Sequence, residues 1–459
     1  MNILAIKGRG TFQGGMHPPE KKNITADCAI SHGPVIKQAT ILLSQHLGVI
    51  CKPLVSKGDV VQAGRIIGDD QAFVTAPVHS PVNGTVKEIS LQPHAVLGRC
   101  LGVVIEADPQ GPVKQIAADK FTAQFDETKY NPEQICSAAR TAGLVGMGGA
   151  GFPTRVKIEP NPKQPKDVLI INGCECEPYI TCDYRVMLEW TYQVLAGIKL
   201  ARLAGGVKKV FIGIEDNKPL AIEAMERAIG KCKGTENISV VVVKTKYPQG
   251  GERQLIESIL GRNVPTGGIP PMIGVVVLNV ATCAALAEAV VLGNPLTHRV
   301  ITVAGEAIAK PGNFYVPIGT TVQELIDFCG GVTEKSAKVL LGGPMMGLAI
   351  GDLSTPVTKT TGAVTVLTGE QIGKAKFERR QTACIRCGRC LQVCPEHINP
   401  TRIAHAVKYD KLDLAESYYI SACMECGCCS FVCPANIELT GYIKTGKIFL
   451  ARKKKRMPE

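Results

Sequence analysis

The stretches CIRCGRCLQVCP (384–395) and CMECGCCSFVCP (423–434) share one cysteine spacing, C-x-x-C-x-x-C-x-x-x-C-P. Nine of the chain's 19 cysteines lie between Cys384 and Cys433. The N-terminal stretch MNILAIKGRGTF lacks the cationic start and apolar core of a secretory signal. We therefore expect a reducing compartment, where disulfide frameworks are rare. In that setting the two runs indicate metal ligation.

Twin runs with this spacing are typical of proteins that hold two [4Fe–4S] clusters. Short loops place three thiolates around one cluster, and the helix that follows carries the fourth cysteine to the other cluster. Zinc is the alternative, but a structural zinc site usually takes two C-x-x-C pairs and leaves half of these cysteines unexplained. Cys428 is expected to be a small buried thiol rather than a ligand. The expected ligands are Cys384, Cys387, Cys390 and Cys433 for the first cluster, and Cys394, Cys423, Cys426 and Cys429 for the second.

The rest of the chain is long enough for three or four domains, since it has 459 residues. Hydrophobic residues make up 45% and charged residues 20%, which excludes a disordered or fibrous protein. The net charge of +12 favours anionic lipid, acidic proteins or phosphate-bearing ligands. The most apolar stretch, 273–293, reads as a buried strand followed by a helix and not as a membrane span. We expect a cytoplasmic chain that can still sit on a membrane surface.

Between residues 131 and 296 the pattern alternates helix and strand. The segment NPEQICSAARTAG (131–143) predicts a helix with an Asn cap and a proline at its first position. Four apolar stretches (167–172, 208–214, 238–244 and 273–279) predict buried strands. Strands that are apolar on both faces indicate a mainly parallel sheet covered by helices.

The segments on either side of this region resemble known small domains. VSKGDVVQAGRIIG (55–68) and APVHSPVNGTVKEI (76–89) resemble the two halves of the barrel-sandwich hybrid of biotinyl and lipoyl domains. The stretch between the halves has no lysine, which implies a structural or docking role rather than a carrier arm. Residues 298–350 read as strand, Pro-Gly turn, strand and helix, and they resemble the soluble-ligand-binding β-grasp (SLBB) domain.

A glycine-rich loop, GMGGAG (146–151), fits G-x-G-x-x-G but follows a predicted helix, whereas a Rossmann loop follows a strand. Such a loop can be a tight turn, or it can let backbone N–H groups approach a phosphate. The loop is followed by GFPTRVK (151–157), NGCECEPYITCD (172–183), YPQGGERQLIESILGR (247–262) and NVATCA (279–284).

In this order these stretches resemble the flavin- and NADH-binding subunit of respiratory complex I. The resemblance implies non-covalent FMN in the glycine loop, with NAD(H) over the flavin and bordered by the acidic loop after Asn172. This family has Arg at the position of Met147 and Asp at that of Cys174, and the third stretch here is one residue longer. The positions that match are Gly146, Gly148, Gly149, Gly151, Lys157, Asn172, Glu175, Glu177, Tyr247, Gly251, Glu252, Asn279 and Thr282.

The whole chain resembles the C subunit of the Rnf complex, a membrane-bound, ion-translocating ferredoxin:NAD oxidoreductase. This resemblance rests on the stretch GTFQGGMHPPEKKNIT (10–25), the domain order and the length. It implies a multidomain α/β plus β fold with a helical bacterial two-cluster ferredoxin domain. It also implies integral membrane and ferredoxin-like partner subunits, indirect exchange with ferredoxin, no nucleic acid partner, and a peripheral position on the cytoplasmic face of the bacterial membrane. The alternatives are a soluble NADH-dependent cobalamin reductase of similar make-up and a non-enzymatic electron relay.

The C-terminal end, ARKKKRMPE (451–459), is basic. We expect it either to contribute to docking at an anionic surface or acidic partner, or to be a solvated disordered end. The resemblances and this tail predict the division of the chain into domains. It comprises an extension (1–30), the barrel-sandwich hybrid (31–110), the FMN/NADH domain (111–296), the β-grasp domain (297–352), connecting strands (353–374), the two-cluster domain (375–445) and a basic tail (446–459).

Overall fold

The first domain consists of two small antiparallel sheets that face each other. The computed structural model describes residues 8–333, 335–372 and 381–456. Alternating apolar residues of the two sheets, among them Ile41, Ile67 and Val103, are fully buried between them. This is the barrel-sandwich arrangement that the sequence predicts. One sheet has the strand order Gln38–Leu42, Gly98–Ala107, Gly84–His94 and Val60–Val61, and the other has Lys52–Pro53, Ile66–Asp69 and Val78–His79.

The second domain has a four-stranded sheet in which all neighbours are parallel, as predicted. Its first helix begins with a capping box between Asn131 and Gln134 and has Pro132 at its first position. The strand order is Ile238–Val243, Lys209–Glu215, Val168–Asn172 and Val275–Asn279. The helices are Pro132–Thr141, Thr154–Ile158, Cys182–Glu189, Thr191–Gly205, Pro219–Lys231, Glu252–Leu260 and Val280–Leu292.

Asn172 and Asn279 lie side by side at the carboxyl ends of the two strands that carry them, because those strands pair in register. Asn279 also caps the helix Val280–Leu292 by accepting from the amides of Ala281 and Thr282. The apolar stretch 273–293 thus folds as the predicted strand and helix. No helix in the described ranges is long and apolar enough to cross a membrane.

The third domain is built on a six-stranded sheet with one helix, Val322–Phe328. Two strands come from outside the predicted range 297–352. Ile30–His32 forms one edge of the sheet and pairs in parallel with Gly312–Pro317, and Ala363–Thr368 lies in the middle of the sheet with every residue buried. The strand order is Ile30–His32, Gly312–Pro317, His298–Ala304, Ala363–Thr368, Ser336–Leu341 and Leu348–Ile350.

The C-terminal domain is helical and repeats one local design. Gly388 and Gly427 have φ angles of 75° and 80° and precede the short helices Arg389–Gln392 and Cys428–Phe431, which carry cysteines of the two runs. These left-handed conformations suit glycine. The remaining helices are Pro400–Lys408, Leu412–Ser417 and Leu439–Arg456.

The last helix, Leu439–Arg456, runs through the position where the sequence suggested a separate basic tail. Lys453 and Lys454 make exposed ion pairs with Asp413 and Glu416. Residues 457–459 of the predicted tail lie outside the described part of the chain.

Residues 10–25, here called the N-terminal strap, join the second domain to the C-terminal domain. The Gly15 amide donates to the carbonyl of Val393 at 2.9 Å, and Met16 exchanges two backbone hydrogen bonds with Tyr247 at 2.8 Å. Lys22 donates from Nζ to the carbonyls of Glu177 and Ile180. The strap therefore brings the end of the first cysteine run against the α/β domain.

Candidate functional site: two cysteine cavities beside a glycine loop

The eight predicted cysteine ligands line two separate cavities, four to each. The first cavity combines three cysteines of the first run with the last cysteine of the second run, and the other cavity has the reverse composition. This crossed grouping is the one that the spacing predicts. The first cavity is lined by Cys384, Cys387, Cys390 and Cys433, and the second by Cys394, Cys423, Cys426 and Cys429.

Hydrogen bonds around the two cavities correspond pairwise. The Arg386 amide donates to the sulfur of Cys384 at 3.4 Å, as the Glu425 amide does to that of Cys423. Such amides stabilise a thiolate. The sulfurs of Cys390 and Cys429 likewise meet threonine hydroxyls, those of Thr401 and Thr440, at 3.0 and 3.4 Å.

The chemistry of the second cavity fits a cationic metal cluster. Burial raises the pKa of Cys423 to about 12 and that of Cys429 to about 11. Buried thiols of this kind ionise when a metal supplies positive charge, as thiolate ligands of iron require. Cys428 is 1% exposed and also borders this cavity; hydrogen bonding from its thiol lowers the pKa of Cys426.

The glycine loop lies at the carboxyl ends of the parallel strands, where ligands of such sheets bind. The Met147 amide donates to the Thr282 hydroxyl at 2.9 Å, and a side chain on Gly148 would meet Asn279 at 3.4 Å. Gly149 has a φ angle of 111° and open space around its Cα hydrogens. The loop thus presents exposed backbone for the close approach of a ligand.

Met147 is the glycine-loop position that departs from the complex I pattern, and Arg299 lies next to it. The Met147 side chain is buried in the core. Arg299, from the central β-grasp strand, is 2% exposed and directs Nη2 toward the Met147 carbonyl at 3.4 Å. A guanidinium from another domain therefore stands behind the glycine loop, which no local motif could reveal.

The loop after Asn172 carries a buried network of acids. Glu175 accepts from the Asp183 amide at 2.7 Å, and Asn279 donates from Nδ2 to Oδ2 of Asp183 at 2.6 Å. Burial, and then the charge of Glu175, raise the pKa of Asp183 to about 7. Asp183 is a site residue that the sequence did not single out, although it closes the quoted stretch 172–183.

Asn172 binds the third predicted element, since its Nδ2 donates to the Gly250 carbonyl at 2.8 Å. Lys157 and Glu252 form an ion pair at 2.9 Å, and Lys157 also donates to the carbonyl of Val277. A side chain on Gly251 would displace the Gln254 carboxamide, because an added Cβ would lie 2.3 Å from Oε1 of Gln254. These residues border the same end of the sheet as the glycine loop.

Glu177 contacts a loop of the β-grasp domain. Its two carboxylate oxygens accept from the amides of Met346 at 2.7 Å and Met345 at 3.2 Å. Burial raises the pKa of Glu177 to about 7, against the lowering effect of these amides. Gly343 belongs to the same loop, and an added Cβ there would lie 2.2 Å from the Glu177 carboxylate.

Tyr247 connects the α/β domain to the second cysteine cavity. Its ring is 1% exposed, and its hydroxyl donates to the carbonyl of Cys426 at 2.8 Å. Nearby, Gln254 donates to the carbonyl of Pro395 at 3.3 Å and to the Glu396 carboxylate at 2.9 Å. The second cavity therefore lies against the glycine-loop domain.

A glycine loop at the strand ends and two crossed cysteine cavities are features of an iron–sulfur flavoprotein. Family models match the chain in four successive segments. They are the RnfC barrel sandwich hybrid domain (10–110), the Nuo51 FMN-binding domain (139–288), the SLBB domain (300–349) and a 4Fe-4S dicluster domain (380–437).

Similar proteins extend over nearly the whole chain. The C subunit of the proton-translocating ferredoxin:NAD(+) oxidoreductase complex of Clostridium ljungdahlii is 42% identical over 89% of this chain and 87% of that protein. Its counterpart in the Na(+)-translocating complex of Acetobacterium woodii is 41% identical over 89% and 90%. The chain belongs to this family, the C subunits of ion-translocating ferredoxin:NAD(+) oxidoreductase complexes.

A solved structure shares the fold. The NAD+-reducing [NiFe]-hydrogenase in its air-oxidized state matches with a TM-score of 0.50 and 20% identity, over 75% of this chain and 71% of that chain. This likeness concerns the arrangement of the domains. The predicted fold, with its four kinds of domain, is confirmed by the family models.

Proposed function

We propose that the chain is the NADH-binding electron-transfer subunit of an ion-translocating ferredoxin:NAD oxidoreductase. It holds FMN at the glycine loop and one [4Fe–4S] cluster in each cysteine cavity. It sits peripherally on the cytoplasmic face of the membrane with integral membrane and ferredoxin-like subunits. The observation that carries this proposal is the second cavity, which lies directly against the domain of the glycine loop through Tyr247. The relatives' names favour this function over cobalamin reduction.

The order of electron transfer follows from the positions of the two cysteine cavities relative to the glycine-loop domain. NADH delivers two electrons at once, and bound flavin supplies the conversion to single electrons that iron–sulfur clusters carry. The second cavity is nearer the glycine-loop domain, while Cys384 and Cys387 of the first cavity are exposed. Electrons from NADH therefore reach the second cluster before the first, and the reverse direction uses the same order.

The residues around the glycine loop fix its backbone and hold protons near the ligand site. The Thr282 hydroxyl fixes the loop through the Met147 amide, so that the backbone of Gly148 and Gly149 stays open to the ligand. Asn279 donates to Oδ2 of Asp183, and burial, followed by the charge of Glu175, raises the pKa of this carboxyl to about 7.

Iron analysis and single-residue variants test the cluster assignment. Anaerobically reconstituted protein should contain about eight irons per chain, and Cys394→Ala should perturb the same cluster as Cys423→Ala. Cys384→Ala should perturb the other one, as seen by electron paramagnetic resonance. Stoichiometric zinc with little iron, or one common cluster for Cys394 and Cys384, would contradict the proposal.

NADH-dependent reduction of ferricyanide tests the nucleotide site. Protein with both clusters and bound FMN should catalyse this reaction, and NADH should bleach the flavin absorbance under anaerobic conditions. Protein that keeps its iron but never retains FMN would refute the flavin assignment. Bound flavin that NADH fails to reduce would instead support the inert relay.

A further inference from the structure

The glycine loop leaves three successive backbone amides free. The N–H groups of residues 148–150 donate to no residue in the described ranges, and all three residues are exposed. The amide before them does have a partner, because Met147 donates to the Thr282 hydroxyl at 2.9 Å. Successive free N–H groups attract an anion, and the helix capped by Asn279 adds its positive end beside them. This part of the loop therefore suits a phosphate group.

Arg299 lies on the other side of the same loop as a buried positive charge. It is 2% exposed, donates from Nη1 to the carbonyl of Lys359 at 2.5 Å and directs Nη2 to the carbonyl of Met147 at 3.4 Å. It forms no ion pair with a residue in the described part of the chain. Burial lowers the pKa of Arg299, and the charges of Cys182 and Asp183 oppose this effect. A guanidinium nevertheless stays charged in proteins.

One peptide group connects this charge to the free side of the loop. The carbonyl of Met147 and the N–H of Gly148 belong to the same peptide, which is trans. In a trans peptide the C=O and N–H bonds point in opposite directions. A cation at the carbonyl polarises the group and makes its N–H a stronger donor. The charge of Arg299 therefore favours an anion at the N–H of Gly148.

On the basis of the proposed function, which puts FMN at this loop, we infer that Arg299 is a positioning residue that makes the site selective for the phosphate-bearing flavin. It acts through the peptide between Met147 and Gly148. Its charge is attractive to a phosphate and nearly indifferent to an uncharged flavin ring. Because the guanidinium is buried, dissolved ions screen it little. A purely structural link between two domains would instead affect both forms of the flavin equally.

The test measures the Kd of FMN and of riboflavin for the full chain that holds both clusters and has been freed of FMN. Riboflavin has the same ring system and lacks the phosphate, and quenching of flavin fluorescence reports the binding of either one. Arg299→Met removes the charge and keeps an apolar stem. The ratio of the riboflavin Kd to the FMN Kd should fall about tenfold, whereas the riboflavin Kd itself should change by less than about twofold.

Three further variants separate charge from structure. Arg299→Lys keeps the charge, and its ratio should stay within about threefold of that of the unmodified protein. Arg299→Gln is neutral but can still donate to the carbonyl of Lys359, and it should lose selectivity as Arg299→Met does. Lys310→Met removes an exposed cation of the same domain and should leave the ratio unchanged. Iron content should be the same in all variants.

The outcomes are distinct. A ratio in the neutral Arg299 variants equal to that in Lys310→Met would overturn the role of Arg299 and leave the proposed function intact. Equal weakening of FMN and riboflavin binding would also overturn it, because Arg299 would then only support the shape of the loop. If Arg299→Met fails to retain iron, the ratio measured for Arg299→Gln decides in the same way. Unmodified protein that binds neither flavin would refute the proposed function itself.

Discussion

Replacing Glu177 with glutamine should change how firmly the loop 342–347 is held, and the change should depend on pH. The ordinary pKa of this carboxyl is 4.5, and burial raises it to about 7 in the folded chain. Between these values the folded state holds a proton that the opened state has released. Stability of the closed loop is therefore fully present below pH 4.5 and is lost as pH rises through 7.

The magnitude follows from the two pKa values. Their separation corresponds to at most about 3 kcal/mol between pH 5 and pH 8, and the figure is an upper bound because the side chain keeps some contact with solvent. Glutamine is neutral throughout, so Glu177→Gln should resemble the unmodified protein at pH 5. At pH 8 the variant should hold the loop more firmly, provided its amide group retains one of the bonds to Met345 and Met346.

Hydrogen exchange of the peptide covering 342–347 measures this difference. The ratio of protection between Glu177→Gln and the unmodified protein should be near one at pH 5 and should rise by roughly tenfold or more at pH 8. As a control, Glu306→Gln removes an exposed carboxylate of the β-grasp domain, where it pairs with Lys21. The protection ratio between this variant and the unmodified protein should not change with pH. A Glu177→Gln ratio that does not change with pH would refute the assigned role of burial.

Three further predictions concern single contacts. Lys157→Ala removes the ion pair with Glu252 and a cation that follows the glycine loop. It should lower FMN retention about tenfold, the effect of losing a charged hydrogen bond of roughly 1.5–3 kcal/mol, as measured by flavin content after gel filtration. Tyr247→Phe leaves the buried carbonyl of Cys426 without its donor and should cost about 1–3 kcal/mol, visible as a lower midpoint of thermal unfolding than in the exposed control Tyr409→Phe. Truncation after Arg452 removes two exposed ion pairs worth less than about 1 kcal/mol each, so the midpoint of thermal unfolding should hardly change. The predicted docking role implies that retention of the truncated chain on anionic vesicles falls at low salt.

Much of the architecture could be predicted from local sequence. The cysteine spacing specifies the crossed grouping because short loops fix three sulfurs together. Apolar runs of five to seven residues specify the parallel sheet because both faces are covered. Ala363–Thr368 was expected only as a connecting strand, since its central place depends on pairing with two distant strands.

The arrangement inside the site was less accessible to prediction. The nucleotide contacts predicted for Glu175 and Glu177 stay predictions. The sequence did not reveal that two amides of the β-grasp domain donate to Glu177. The contact of Arg299 with the Met147 carbonyl is also one that the sequence did not reveal. Contacts between side chains and the backbone of another domain leave no periodicity or spacing in the sequence, so only the folded chain reveals them.

The N-terminal strap has a consequence for the way the protein matures. Gly14 and Gly15 both have positive φ angles, and a side chain on Gly14 would lie 2.7 Å from the carbonyl of Cys394. The strap is synthesised long before its partner Val393, so this contact forms late. Until the segment around Val393 has folded, Gly15 of the strap lacks this backbone partner, so the strap is the last of the inter-domain connections to be completed.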